Sequence, residues 1–134
     1  MLPLMLLGSG IAFAAPGVVL VGPGGPVEQG QVAAFTLKVD GAPVVIDGCR
    51  VVEIERREGA SWVVAPGAEL CRGVELGRRI ETSVTLSVSP PDPGEYRAVV
   101  GWGRGCVAGR PFALAACKEL GFARSESFTV NGQR

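Results

Sequence analysis

Glycine and proline clusters cut this chain into runs too short for any long helix. "GPGGP" (22–26), "DGAP" (40–43) and "SPPDPG" (89–94) recur along 134 residues that hold 20 glycines and 10 prolines. Proline removes a backbone donor and fixes φ, so such clusters end helices and central strands alike. The runs between them alternate apolar and polar residues with the period of two that marks half-buried strands. In "QVAAFTLKV" Ala33, Phe35, Leu37 and Val39 share a face; in "IETSVTLSV" Val84, Leu86 and Val88 do. "EYRAVVGW" aligns Tyr96, Ala98, Val100 and Trp102, and "SESFTV" closes the series with Phe128 and Val130. "CRVVEIERR" and "SWVVA", joined through "REGA", read as a hairpin. The pattern predicts an all-β sandwich of roughly seven or eight strands.

The first residues stand apart. "MLPLMLLGSGIAFAA" has no charged side chain, yet its apolar run is shorter than the about 20 residues a bilayer span needs. It ends in Ala12-Phe13-Ala14, a small-x-small cleavage pattern. The expectation is a signal peptide over 1–14, cleaved after Ala14, and a single domain over 15–134. No Lys or Arg occupies its n-region. Nothing later is long and apolar enough to span a membrane as a helix. Export to the periplasm, the cell surface or the medium is expected.

An oxidising compartment changes how Cys49, Cys71, Cys106 and Cys117 read. Four cysteines allow three pairings. Cys49–Cys71 and Cys106–Cys117 are the expected ones, the second closing a long loop between the last two strands. The competing reading is a four-cysteine zinc site, but such sites pair ligands as C-x2–4-C, and no two cysteines here stand that close. No cofactor is expected.

Charge and composition exclude more. Thirteen basic residues balance 13 acidic ones without a block of either sign, so the basic footprint of a nucleic-acid binder is missing. There is no histidine, which removes histidine triads and imidazole-bound metals. "GRGCVA" (103–108) fits G-x-G-x-x-[GA], the outline of a nucleotide-binding loop. Too little chain follows to build a doubly wound sheet, and Pro111 interrupts any helix there. Glu53 and Glu55 share a strand face about 7 Å apart by strand rise, a spacing used by glycosidase carboxylates. With Arg56 and Arg57 beside them, a solvated sheet face is the simpler account. No catalytic residue is expected, and the chain is read as non-enzymatic.

Leu86-x-Val88 followed by Asp92-Pro93-Gly94-Glu95-Tyr96 resembles the immunoglobulin-superfamily signature L-x-[IV]…D-x-G-x-Y-x-C. The resemblance implies a Greek-key sandwich with a tyrosine corner, in which Asp92 and Gly94 shape the turn and the Tyr96 hydroxyl bonds back to it. Ala98 stands where that superfamily has its inter-sheet cysteine. The "VEIERREGASW" hairpin, the proline-rich turn before "GEYR" and the terminal "FTV" are similar to bacterial Ig-like modules of secreted and surface proteins. Those modules imply a binding or accessory role toward a protein or envelope ligand, and a monomer is expected. The contact surface expected is the F–G loop, residues 103–123, with Arg104, Arg110, Pro111 and Phe112 as candidates. "GRPFAL" also resembles the R-P-aromatic loop of chagasin-type cysteine-protease inhibitors, although the N-P-T-T-G element of their B–C loop is missing.

Overall fold

A computed structural model of the chain describes residues 17–49, 52–65, 76–112 and 116–132. The expected signal peptide, its cleavage site and Cys71 lie outside these residues. Eleven strands run through the described residues, against the seven or eight expected. They are β1 (Val18–Val21), β2 (Val27–Glu28), β3 (Ala33–Val39), β4 (Val44–Ile46), β5 (Glu53–Glu58), β6 (Ser61–Ala65), β7 (Arg78–Ile80), β8 (Ser83–Val88), β9 (Gly94–Arg104), β10 (Glu119–Arg124) and β11 (Phe128–Asn131).

The long strand β9 organises the larger sheet. Along one side it pairs first with β11, from Gly94↔Val130 to Tyr96↔Phe128, and then with β10, from Val99↔Arg124 to Arg104↔Glu119. Along the other it pairs with β5 and then β4. β6 extends the sheet beyond β5, β7 beyond β4, and β2 runs parallel to β11 at the opposite border. The smaller sheet has the order β1-β3-β8, all antiparallel.

Both partners of β9 break, because a strand this long outruns its straight neighbours. Between β10 and β11 the register slips by one residue, a β-bulge. Ser125 repairs it: its N–H donates to the Ala98 carbonyl at 2.9 Å, and its hydroxyl oxygen accepts the Ala98 N–H at 2.9 Å. The same hydroxyl donates to the Glu126 carbonyl at 2.9 Å, so this buried polar residue is fully engaged. Opposite, the partner strand spends four more residues than β9 between the Val99–Glu53 and Trp102–Ile46 pairs. The chain leaves the sheet at Asp47, whose Oδ1 accepts the Cys49 N–H at 2.8 Å.

The two sheets bury their inner faces in one core. β1 and β3 contribute Val18, Leu20, Phe35 and Leu37; the large sheet contributes Val44, Ile46, Ile54, Tyr96, Val100, Trp102 and Phe128. Phe35 meets Phe128 edge-on at 5.5 Å between centroids, joining the sheets directly. Each fully buried large side chain contributes about 1.5–3 kcal/mol, well above the about 0–1 kcal/mol of an exposed ion pair. Core burial therefore decides the sandwich, and surface charge decorates it. No helix among the described residues is long and apolar enough to cross a membrane.

Candidate functional site

The segment that reads as Gly-Trp-Gly-Arg is the end of β9, and strand alternation explains every residue in it. Trp102 points into the core and is 1% exposed. Arg104 points the same way at the open end of the sandwich, its guanidinium 5.4 Å from the Trp102 ring. Its Nε donates to the Ala42 carbonyl at 3.1 Å and its Nη2 to the Asp40 carbonyl at 3.0 Å. This side chain is only 15% exposed. Arg104, a candidate binding residue from sequence, is thus a clamp between β9 and the turn after β3.

The glycines face outward, where space is needed. A β-carbon on Gly103 would stand 2.7 Å from Cys117 Sγ and 2.9 Å from Cys106 Sγ. The Cys106–Cys117 disulfide rests on that bare backbone. A β-carbon on Gly101 would meet Phe122 at 3.5 Å and Phe112 at 3.8 Å. Gly101 and Gly103 thus belong to a strand, and only Gly105, with φ of 65°, opens the turn, which is not the strand-turn-helix geometry that a phosphate loop requires.

The loop is shorter than expected. The anticipated 103–123 loop contains the last two residues of β9 and most of β10, so the connection is 105–118. Helix-like "ALAACKEL" and the absence of large inward apolar residues hid β10. Its inward positions are Glu119, paired with Arg104, Gly121, which is bare because Trp102 fills the space beneath it, and Ala123, while Leu120 and Phe122 face solvent. The usual strand pattern is inverted.

Residues 105–112 and 116–118 fold back on the outer face of the large sheet. Lys118 N–H donates to the Arg104 carbonyl and Val107 N–H to the Ala116 carbonyl, both at 3.0 Å. Gly77 N–H, just ahead of β7, donates to the Arg110 carbonyl at 3.0 Å. Phe112 is half-buried toward Gly101 and Pro111 is half-buried beside it, while Arg110 and Val107 are exposed. Three ties hold this loop: a disulfide, a main-chain bond to a distant segment, and an aromatic ring on the sheet.

The other sequence candidates lie elsewhere. The Tyr96 hydroxyl donates to the Asp92 carbonyl at 2.8 Å at the far end of β9, with the ring fully buried. Gly94 opens β9 opposite Val130. Cys49 is disulfide-bonded. On the outer face, Arg97 pairs with Glu55 at 2.5 Å and stacks over Trp62 at 4.5 Å. Arg57 pairs with Glu95 at 3.5 Å. Glu55 is thereby held in an ion pair, while Glu53 is exposed. Among the described residues no three Cys, Asp or Glu side chains converge to hold a metal ion.

Two features escaped sequence reasoning. Ser125 gave no signal beyond a serine between strands. An open groove of about 720 Å³ lies between Val19–Pro26 and the bulge residues Arg124 and Glu126–Thr129; glycine and proline on one wall disguise it as an ordinary turn. No known family model matches the chain, and no curated protein is significantly similar to it.

Proposed function

We propose that this chain is an exported, non-enzymatic Ig-like interaction module that recognises a protein or envelope ligand through its clasped 105–118 loop. The observation that carries the reading is that the described residues of the loop, 105–112 and 116–118, are held before any partner arrives, by Cys106–Cys117 and by the Gly77–Arg110 bond. A loop ordered in advance loses less entropy on binding. Val107 and Arg110 on the loop, with Leu76 beside its anchor at Gly77, offer an exposed mixed apolar and cationic tip. A disulfide closing the connection between the paired strands β9 and β10 also suits an oxidising, extracytoplasmic space.

The Ig-like assignment draws support from three arrangements. β1, β3 and β8 form one sheet, the chain crosses after β1 so that β2 runs parallel to β11 in the other, and Tyr96 bonds back to Asp92. The inhibitor reading has less behind it. Phe112, which would have to wedge into a protease cleft, is turned toward Gly101.

The test is capture from an envelope fraction by the oxidised chain, compared with Cys106→Ser/Cys117→Ser and with Val107→Asp/Arg110→Glu. A partner retained by the parent and lost by both variants supports the reading. A partner retained equally by all three removes the loop from it. Absence of inhibition of a papain-like protease at micromolar chain disposes of the alternative. Fractionation of the source cells, with a mature N-terminus at Ala15, checks export.

A further inference from the structure

One border of the large sheet is left open. Among the described residues β10 pairs only with β9. Because Ser125 and Ala98 exchange hydrogen bonds, Ala123 and Gly121 turn their main-chain groups toward β9. Leu120, Phe122 and Arg124 therefore turn theirs away, toward the free edge. The same three side chains lie on the outer face, Leu120 67% and Phe122 64% exposed, with the Arg124 guanidinium 5.6 Å from the Phe122 ring. Exposed edges in soluble proteins are usually blunted by proline, inward charge or lysine. "ELGFAR" has no proline or lysine, its one inward charge, Glu119, sits at its first residue and is paired with Arg104 at 3.9 Å, and the bulge at Ser125 lies beyond its other end.

We propose that β10 pairs with β10 of a second copy of the chain, antiparallel across a twofold axis, joining the two large sheets into one. Within β10 the free main-chain groups belong to Leu120, Phe122 and Arg124, so even must face even, and three central registers are available. An axis at Gly121 sets Lys118 opposite Arg124, and like charges facing each other across strands destabilise. An axis at Ala123 sets Leu120 opposite the Glu126 carboxylate. An axis at Phe122 brings the two Phe122 rings together and lays each Arg124 stem over the other copy's Leu120. Beyond the last main-chain bonds at each end, that register also brings the Lys118 side chain of one copy toward the Glu126 side chain of the other. Both residues are exposed, and neither belongs to an ion pair among the described residues. Charge thus selects the Phe122-centred register. Arg124 and Glu126 also line the open groove, so that end of the edge is approachable.

The pairing goes beyond the binding reading and uses different residues, so each can fail without the other. Sedimentation of the mature, oxidised chain over a concentration series should show a monomer–dimer equilibrium, and Phe122→Lys should weaken it by about tenfold or more. Lys118→Glu alone and Glu126→Lys alone should each weaken it by several-fold, and the two together should restore it. A folding fault would not be rescued by that exchange, and near-UV circular dichroism checks the Phe122 variant. Phe122→Cys should yield a covalent dimer on oxidation, because residues facing in a hydrogen-bonded pair lie about 5.5 Å apart at Cα, within disulfide reach. A single monomeric species up to about 1 mM overturns the proposal. So does a dimer indifferent to Phe122→Lys, or an edge that accepts an extended peptide but not a second copy. Charge exchange that fails to rescue overturns the register.

Discussion

Trp102 lies so close to Gly121 that a β-carbon there would stand 2.4 Å from indole Cζ2 and 2.8 Å from Cε2. The neighbouring strand carries a glycine because the largest core side chain occupies the place of its side chain. Gly121→Ala should destabilise the fold by about 1–3 kcal/mol through overpacking. Gly25→Ala, where a β-carbon meets nothing within 4 Å, should stay within about 0.5 kcal/mol. Urea midpoints at constant m-value compare the two, and equal midpoints would contradict the contact.

Gly103 bears the same relation to the clasp. Gly103→Ala should hinder closure of Cys106–Cys117, because its methyl would occupy the position of both sulfurs. Thiol titration of the native protein should find free sulfhydryls in the variant and none from this pair in the parent. Reduction should add about two mass units per disulfide to the parent, about four if both expected pairs form. Losing this clasp should cost about 3 kcal/mol for a loop of its length in the chain-entropy model. An unchanged thiol count would show that the sheet accommodates the methyl.

Ser125 stands in for main chain at the bulge. Ser125→Ala removes the acceptor of the Ala98 N–H in a buried setting, which should cost about 1–3 kcal/mol. Faster amide exchange at Ala98, with little change at Val100, would locate the effect. Unaltered protection at Ala98 would mean that another acceptor serves it.

Tyr96→Phe deletes only the hydroxyl that bonds to Asp92. The ring keeps its place between β5 and β11, so the loss should be about 1 kcal/mol. Tyr96→Ala should cost about 3–5 kcal/mol, as a large buried aromatic is removed. Similar losses for both variants would assign the corner's stability to the hydroxyl rather than to packing.

Strands whose inward residues are large were legible from the sequence. β3 buries Ala33, Phe35, Leu37 and Val39, and β9 buries Tyr96, Ala98, Val100 and Trp102, the faces that alternation assigned. The β5–β6 hairpin turns at the expected glycine, Gly59. The short strands β2 and β4 were not legible, since two or three residues carry no period. β10 was not legible because its inward side chains are small and its outward ones large, the reverse of the rule. Arg104 looked like a surface charge in a loop, although its long stem lets it cap the core from a strand end.

By itself the sequence determined an all-β chain, through the spacing of its proline and glycine clusters and the period of two between them, and it offered Cys106 and Cys117 as partners. Both are local properties: neighbouring residues fix the backbone's options and set which side chains share a face. Tertiary structure alone decided where the large side chains lodge. It set Trp102 against Gly121, the disulfide on Gly103 and Phe112 toward Gly101, and left the Leu120–Phe122 edge unpaired among the described residues. The vacancy at each glycine has meaning only in relation to what another strand or loop brings to it, and that depends on register between segments distant in sequence.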